Sequence, residues 1–131
     1  MAVHYQNALE LAARIHRREI SSVDATAHML ERIGDLDPIL NAFVTVCADE
    51  AIKAAEASDS IIEKSGPRSP LDGVPIGVKD LLDTAGVETT YGMKIYRGYV
   101  PDEDATVVAL LKEAGVVILG KLALTEGAYA R

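Results

Sequence analysis

Ser69-Pro-Leu-Asp-Gly-Val-Pro-Ile-Gly-Val-Lys-Asp80 is the stretch on which the reading of this chain turns. Val74, Ile76 and Val78 alternate with Pro75 and Gly77, the period of two that marks a strand with one strongly apolar face. Gly73 and Gly77 have no side chain, so another backbone can approach closely there. The strand ends on a cation, Lys79, followed by Asp80. An ammonium at the end of an apolar strand can be partly desolvated, which disfavours its charged form and leaves a base usable near neutral pH. A solvated lysine paired with Asp80 fits the same pattern, and the pattern alone leaves both readings open.

The wider sequence separates them. Pro70-Leu-Asp-Gly-Val-Pro-Ile-Gly-Val-Lys-Asp80 closely resembles the lysine motif of the amidase signature family. Ile20-Ser-Ser-Val-Asp24 and Leu36-Asp-Pro-Ile-Leu-Asn-Ala-Phe-Val-Thr-Val46 look like that family's N-terminal helices and first strand. Asp104-Ala-Thr-Val-Val108 and Lys112-Glu-Ala-Gly-Val-Val-Ile-Leu-Gly-Lys121 look like its next helix and strand. The similarity covers nearly the whole chain, with its motifs in the family's order.

The resemblance implies an α/β fold, the N-terminal part of the amidase signature fold, with a small, mostly parallel sheet flanked by helices. It implies hydrolysis of carboxamide C–N bonds by a Ser–cis-Ser–Lys triad, Lys79 being the base that acts through a bridging serine. No metal or organic cofactor is expected. Gly127 and Ala128 fall where family members line the acyl pocket, although a helix start after Thr125 suits the same residues. The nucleophile and bridging serine belong to a Gly/Ser-rich signature that is absent here, since the serines are Ser21, Ser22, Ser58, Ser60, Ser65 and Ser69. Residues 1–131 are therefore expected to form a single partial domain, inactive alone.

Two departures bear on the substrate. The amidotransferase branch, whose members are glutamyl-tRNA amidotransferase A subunits, usually reads Gly-Lys-Thr-Asn where this chain has Gly120-Lys121-Leu122-Ala123. That branch also tends to carry an aromatic at the position of Gly127. Both differences favour an amidase of small or aryl carboxamides over that branch. A non-catalytic binding or assembly module is the competing class.

Length and composition set outer bounds. At 131 residues the chain can make one domain with a modest core. It carries 13 basic against 20 acidic residues, a formal charge of -7, so it has no basic face for phosphates. Five Tyr, one Phe and no Trp make a base-stacking platform equally unexpected, and nucleic acid is not the partner. The expected partners are a small carboxamide in the full-length enzyme and, for this chain, a second copy or the remainder of its parent. Cys47 stands alone, which fits a reducing cytoplasm, and reads as a buried small hydrophobe. No apolar h-region follows the first residues, and Val116-Val-Ile-Leu119 is far too short to span a bilayer, so no membrane is expected.

Along the chain, Ala8, Leu11, Ala12 and Ile15 predict an amphipathic helix over residues 5–17. Ser21 or Ser22 caps a second, with Val23, Ala27, Leu30 and Ile33 buried and a stop at Gly34 and Pro38. Residues 41–46 read as a strand. Asp49 caps a third helix to about Ile62, with Ala48, Ala51, Ile52 and Ala55 inward and an Asp49–Lys53 pair. Residues 81–93 form a loop with turns at Gly86 and Gly92, beside the catalytic centre if the resemblance holds. The carboxylates of Pro101-Asp-Glu-Asp104 suit the start of a fourth helix facing inward through Val107, Leu110, Leu111 and Ala114. Val116 to Leu119 is a strand buried on both faces, reached by a βαβ crossover. His4, His16 and His28 lack metal-ligand spacing and read as surface or packing residues.

Overall fold

The structure, a computed structural model, describes residues 2–129. Helix α1 (Ala8–His16) starts at a capping box: the Asn7 side chain accepts from the Glu10 amide while the Glu10 carboxylate accepts from the Asn7 amide. Leu11, Ala12 and Ile15 are buried, whereas Ala8, in the first turn, is exposed. Helix α2 (Ser22–Leu40) is capped by Ser21, whose hydroxyl accepts from the Asp24 amide.

The expected stop of α2 at Gly34 and Pro38 is wrong, because the helix runs through both. The proline ring would press on the carbonyl of Gly34, but the helix ends only a few residues later. The actual stop is Asn41, in the left-handed region at φ 51, beside an Asp37 carboxylate that accepts from the Ala42 and Phe43 amides. Ser22, Ala25 and Thr26 are the buried positions of α2, and Ala27 is exposed.

Strand β1 (Phe43–Val46) leads into α3 (Ala48–Ser65), longer at both ends than its pattern suggested. Asp49 lies inside the helix, Ala48 is exposed, and the Asp49–Lys53 pair does not form. Cys47 is buried ahead of α3, and burial pushes its thiol up, so it is an inert hydrophobe. Strand β2 (Pro75–Lys79) then crosses through α4 (Thr106–Glu113) to β3 (Val117–Leu122).

The strand order is β1-β3-β2, with β2 parallel and β1 antiparallel to β3. The sheet is thus mixed rather than mostly parallel, because the β1–α3 unit brings β1 to the far edge of β3 in the reverse sense. Pro75 is tolerated as the first residue of an edge strand. One apolar cluster joins Leu11, Ile15, Ala25 and Ile62; a second sets Ala51 and Ala55 of α3 against Val117 and Leu119 of β3. Helix α4 departs most from expectation. Val108 is its buried residue, while Val107 and Leu110 are exposed. Its N-cap is Ala105, and Asp104 instead accepts from the Ala85 amide and pairs with Lys112.

A polar clamp fixes the chain entering β2. Asp72, fully buried, accepts from the amide and guanidinium of Arg68 and from Ser58 at 2.7–2.9 Å. Gly115 packs on this clamp at φ +86, and a Cβ there would stand 2.2 Å from Asp72 Oδ1. Among the histidines, His4 and His28 share a 2.8 Å hydrogen bond and His16 donates to the Asp72 carbonyl, all packing roles. Among the described residues no helix is long and apolar enough to cross a membrane.

Candidate active site

Lys79 closes β2 opposite Leu122 of β3. Its side chain is exposed, not partly desolvated as the apolar strand suggested, and its ammonium donates to the Ala123 carbonyl. Among the described residues it has no carboxylate partner.

Asp80 does not pair with Lys79. Side chains alternate along a strand, so the residue after Lys79 turns the other way, and Asp80 is fully buried. One carboxylate oxygen accepts from the Thr90 amide and hydroxyl at 3.1 and 2.5 Å. The other lies 3.4 Å from the ammonium of Lys121, also fully buried. Lys121 donates to the Leu82 carbonyl and the Thr89 hydroxyl, both at 2.7 Å. Burial pulls the Lys121 ammonium below its ordinary value, against the opposing pull of Asp80. Desolvation thus falls on Lys121, the lysine that the sequence reading did not single out.

Residues after β2 form a loop held by Tyr91. Its amide donates to the Asp80 carbonyl, its hydroxyl to Asp83, and its carbonyl accepts from the Gly127 amide at 2.9 Å. The bond to Asp83, with burial, pushes the phenol well above its ordinary value. Tyr91 adopts φ 53, rare for a non-glycine residue, and these bonds hold it there. Its ring packs on Tyr96 and Tyr99 with centroids 5.0 and 6.4 Å away, so the irregularly spaced tyrosines form one cluster. Gly92 admits no side chain, since a Cβ would stand 2.8 Å from the Thr125 carbonyl oxygen.

Gly127 and Ala128 lie on an exposed turn (Glu126–Ala128) with φ 58 and 59. A Cβ at Gly127 would meet only Met93 Cε, at 4.0 Å, so this turn leaves free space beside it. An open hollow of about 540 Å³ is lined in part by Thr90, Met93, Lys94 and Leu124. The structure therefore brings the Lys79 amine to Ala123, just ahead of the segment that carries Gly127 and Ala128. It brings no serine there: Ser22, Ser58 and Ser69 donate to the Gly73 carbonyl, Asp72 and the Ala114 carbonyl, at the other end of β2. Chemically, this corner offers an amine that can exchange a proton with a group placed over it.

Sequence reasoning missed the Asp80–Lys121 pair because it ended the last strand at Leu119. Continuing the strand through Gly120 would have placed Lys121 inside it, opposite Val78.

Comparison with known proteins gives this corner a context. The Amidase family model matches residues 24–131. The A subunit of glutamyl-tRNA(Gln) amidotransferase from Myxococcus xanthus is 51% identical over 118 residues, 90% of this chain and 24% of that protein. Putative amidase AmiD of Mycobacterium tuberculosis is 47% identical over 120 residues, 92% of this chain and 25% of that one. The native peptide amidase of Stenotrophomonas maltophilia superposes with a TM-score of 0.86 at 35% identity, covering 93% of this chain and 25% of that structure. The chain spans about a quarter of the length of the curated relatives it matches.

Proposed function

The chain belongs to the amidase family, and on that premise we propose that it forms the N-terminal quarter of an enzyme hydrolysing carboxamide C–N bonds, with Lys79 as the base of a Ser–cis-Ser–Lys triad. The observation that carries the reading is the state of Lys79. It ends a strand, is exposed, donates to the Ala123 carbonyl and, among the described residues, pairs with no carboxylate.

In the proposed reaction a neutral Lys79 takes a proton through the bridging serine, which activates the nucleophilic serine toward the amide carbon. Backbone N–H groups supplied outside this chain stabilise the tetrahedral oxyanion, worth about 3–4 kcal/mol per donor. The proton then passes to the leaving amine, and water releases the acyl group. Gly127 and Ala128 would line the acyl pocket, a role supported by the free space beside Gly127. Leu122, Ala123 and Gly127 support an amidase of small or aryl carboxamides. The amidotransferase branch is the second reading, favoured by the 51% identity to the Myxococcus protein.

This chain contributes the lysine without a serine near it, so the isolated 131 residues should be inactive. A turnover assay of the purified chain on simple carboxamides checks this. No hydrolysis above the buffer rate is expected. Turnover that disappears in Lys79→Ala would show that the chain contains a complete catalytic centre and overturn the proposal.

A further inference from the structure

The buried pair of Asp80 and Lys121 needs a reason to exist. Two charges removed from water cost more than their attraction usually returns, and well-packed apolar residues of similar volume often serve as well or better. Two bonds donated by the Lys121 ammonium, to the Leu82 carbonyl and the Thr89 hydroxyl, stand beside a 3.4 Å ion-pair contact with Asp80 Oδ1, which accepts no hydrogen bond among the described residues. They join both ends of the excursion between β2 and Tyr91 to the central strand. Asp80 adds its own bonds to Thr90, while its amide donates to the Leu122 carbonyl at 3.0 Å and its carbonyl accepts from the Tyr91 amide at 3.0 Å. The consequence falls on Lys79, covalently between Val78 and Asp80. Val78 is paired in register with Lys121, and Asp80 is held by it.

We propose that Lys121 is a positioning residue for Lys79: through Asp80, Leu82 and Thr89 it fixes the end of β2 so that the exposed amine stands over Ala123. This rests on the reading of Lys79 as the base. The charge of Asp80 is directed inward by the same arrangement, leaving the amine without an anionic partner among the described residues. A misplacement of about 1 Å at a reacting group can cost on the order of 100-fold in rate, so loss of the tether should reach the chemistry without touching substrate.

The test uses the intact amidase that contains this chain. Lys121→Ala should lower kcat on the order of 10- to 100-fold with KM nearly unchanged. Propylammonium, which can occupy the vacated space and supply its N–H groups, should restore much of kcat, whereas propanol should not. A kcat within about twofold of normal, or a loss that propylammonium does not restore, would overturn the proposal. If Lys121→Ala does not fold, Asp80→Asn/Lys121→Met leaves no unpaired buried charge and carries the same test. A normal melting temperature with kcat down at least about tenfold supports positioning, and normal kcat overturns it. Lys79→Ala run in parallel separates the two claims. If that variant keeps its turnover, the reading of Lys79 fails. If it is inactive while the Lys121 variants work normally, only the positioning role fails.

Discussion

At the two ends of β2 stand two buried carboxylates, Asp72 and Asp80, held in different ways. Burial alone would raise the Asp72 carboxyl, but the Arg68 and Ser58 hydrogen bonds outweigh it and hold it below its ordinary value. An unfolded aspartate titrates near pH 4, so between there and the lower folded value the unfolded chain binds more protons. Stability from Asp72 is therefore complete above about pH 4 and is lost as pH falls through the folded value. Urea midpoints followed from neutral to acid pH should drop through that window, and Asp72→Asn should start lower and flatten the drop. Gly115→Ala should be more damaging still. It forces a Cβ onto Asp72 at a positive φ, and a loss of about 2–4 kcal/mol is expected in the same titration. Lys79 was legible in the sequence because an apolar alternation led to it within a family motif. Its surroundings were not legible, since burial of Lys121 depends on which loop folds over β3, and no local pattern encodes that.

At the level of elements, patterns gave existence and order more reliably than ends and faces. Pro38 reads as a stop, yet α2 runs on to Leu40 and the Asn41 amide still donates to the Asp37 carbonyl, so the helix tolerates the one bond that Pro38 cannot give to the Gly34 carbonyl. Helix α4 shows the limit of periodicity. Val107, Leu110 and Leu111 form as apolar a stripe as the single position Val108, and only the packing beneath decides which is buried. Val108→Ala should cost about 2 kcal/mol, whereas Leu110→Ala should stay within about 0.5 kcal/mol, measured by urea unfolding of the chain. Equal losses at the two positions would mean that the exposed stripe is covered in solution. The sheet shows the same limit. Chain order placed β1 first, but nothing in Phe43-Val-Thr-Val46 says whether it meets β3 parallel or antiparallel.

For the whole molecule, both β1 and β2 are sheet edges, and Ile39, Leu40, Val107 and Leu110 lie in the open. Unpaired edges and contiguous apolar surface are templates for association. Sedimentation across a concentration series should show the chain self-associating or held by the remainder of its parent. A compact monomer at every concentration, melting cooperatively, would mean that these residues close a core of their own. The central claim concerns Lys79, and it is tested most directly by steady-state hydrolysis of a simple carboxamide by the intact amidase and its Lys79→Ala variant. Lys79 is exposed and makes one side-chain bond, so the variant should melt within a few degrees of the original while losing at least about 100- to 10,000-fold in rate. A folded Lys79→Ala enzyme that turns over at a near-normal rate would contradict that role.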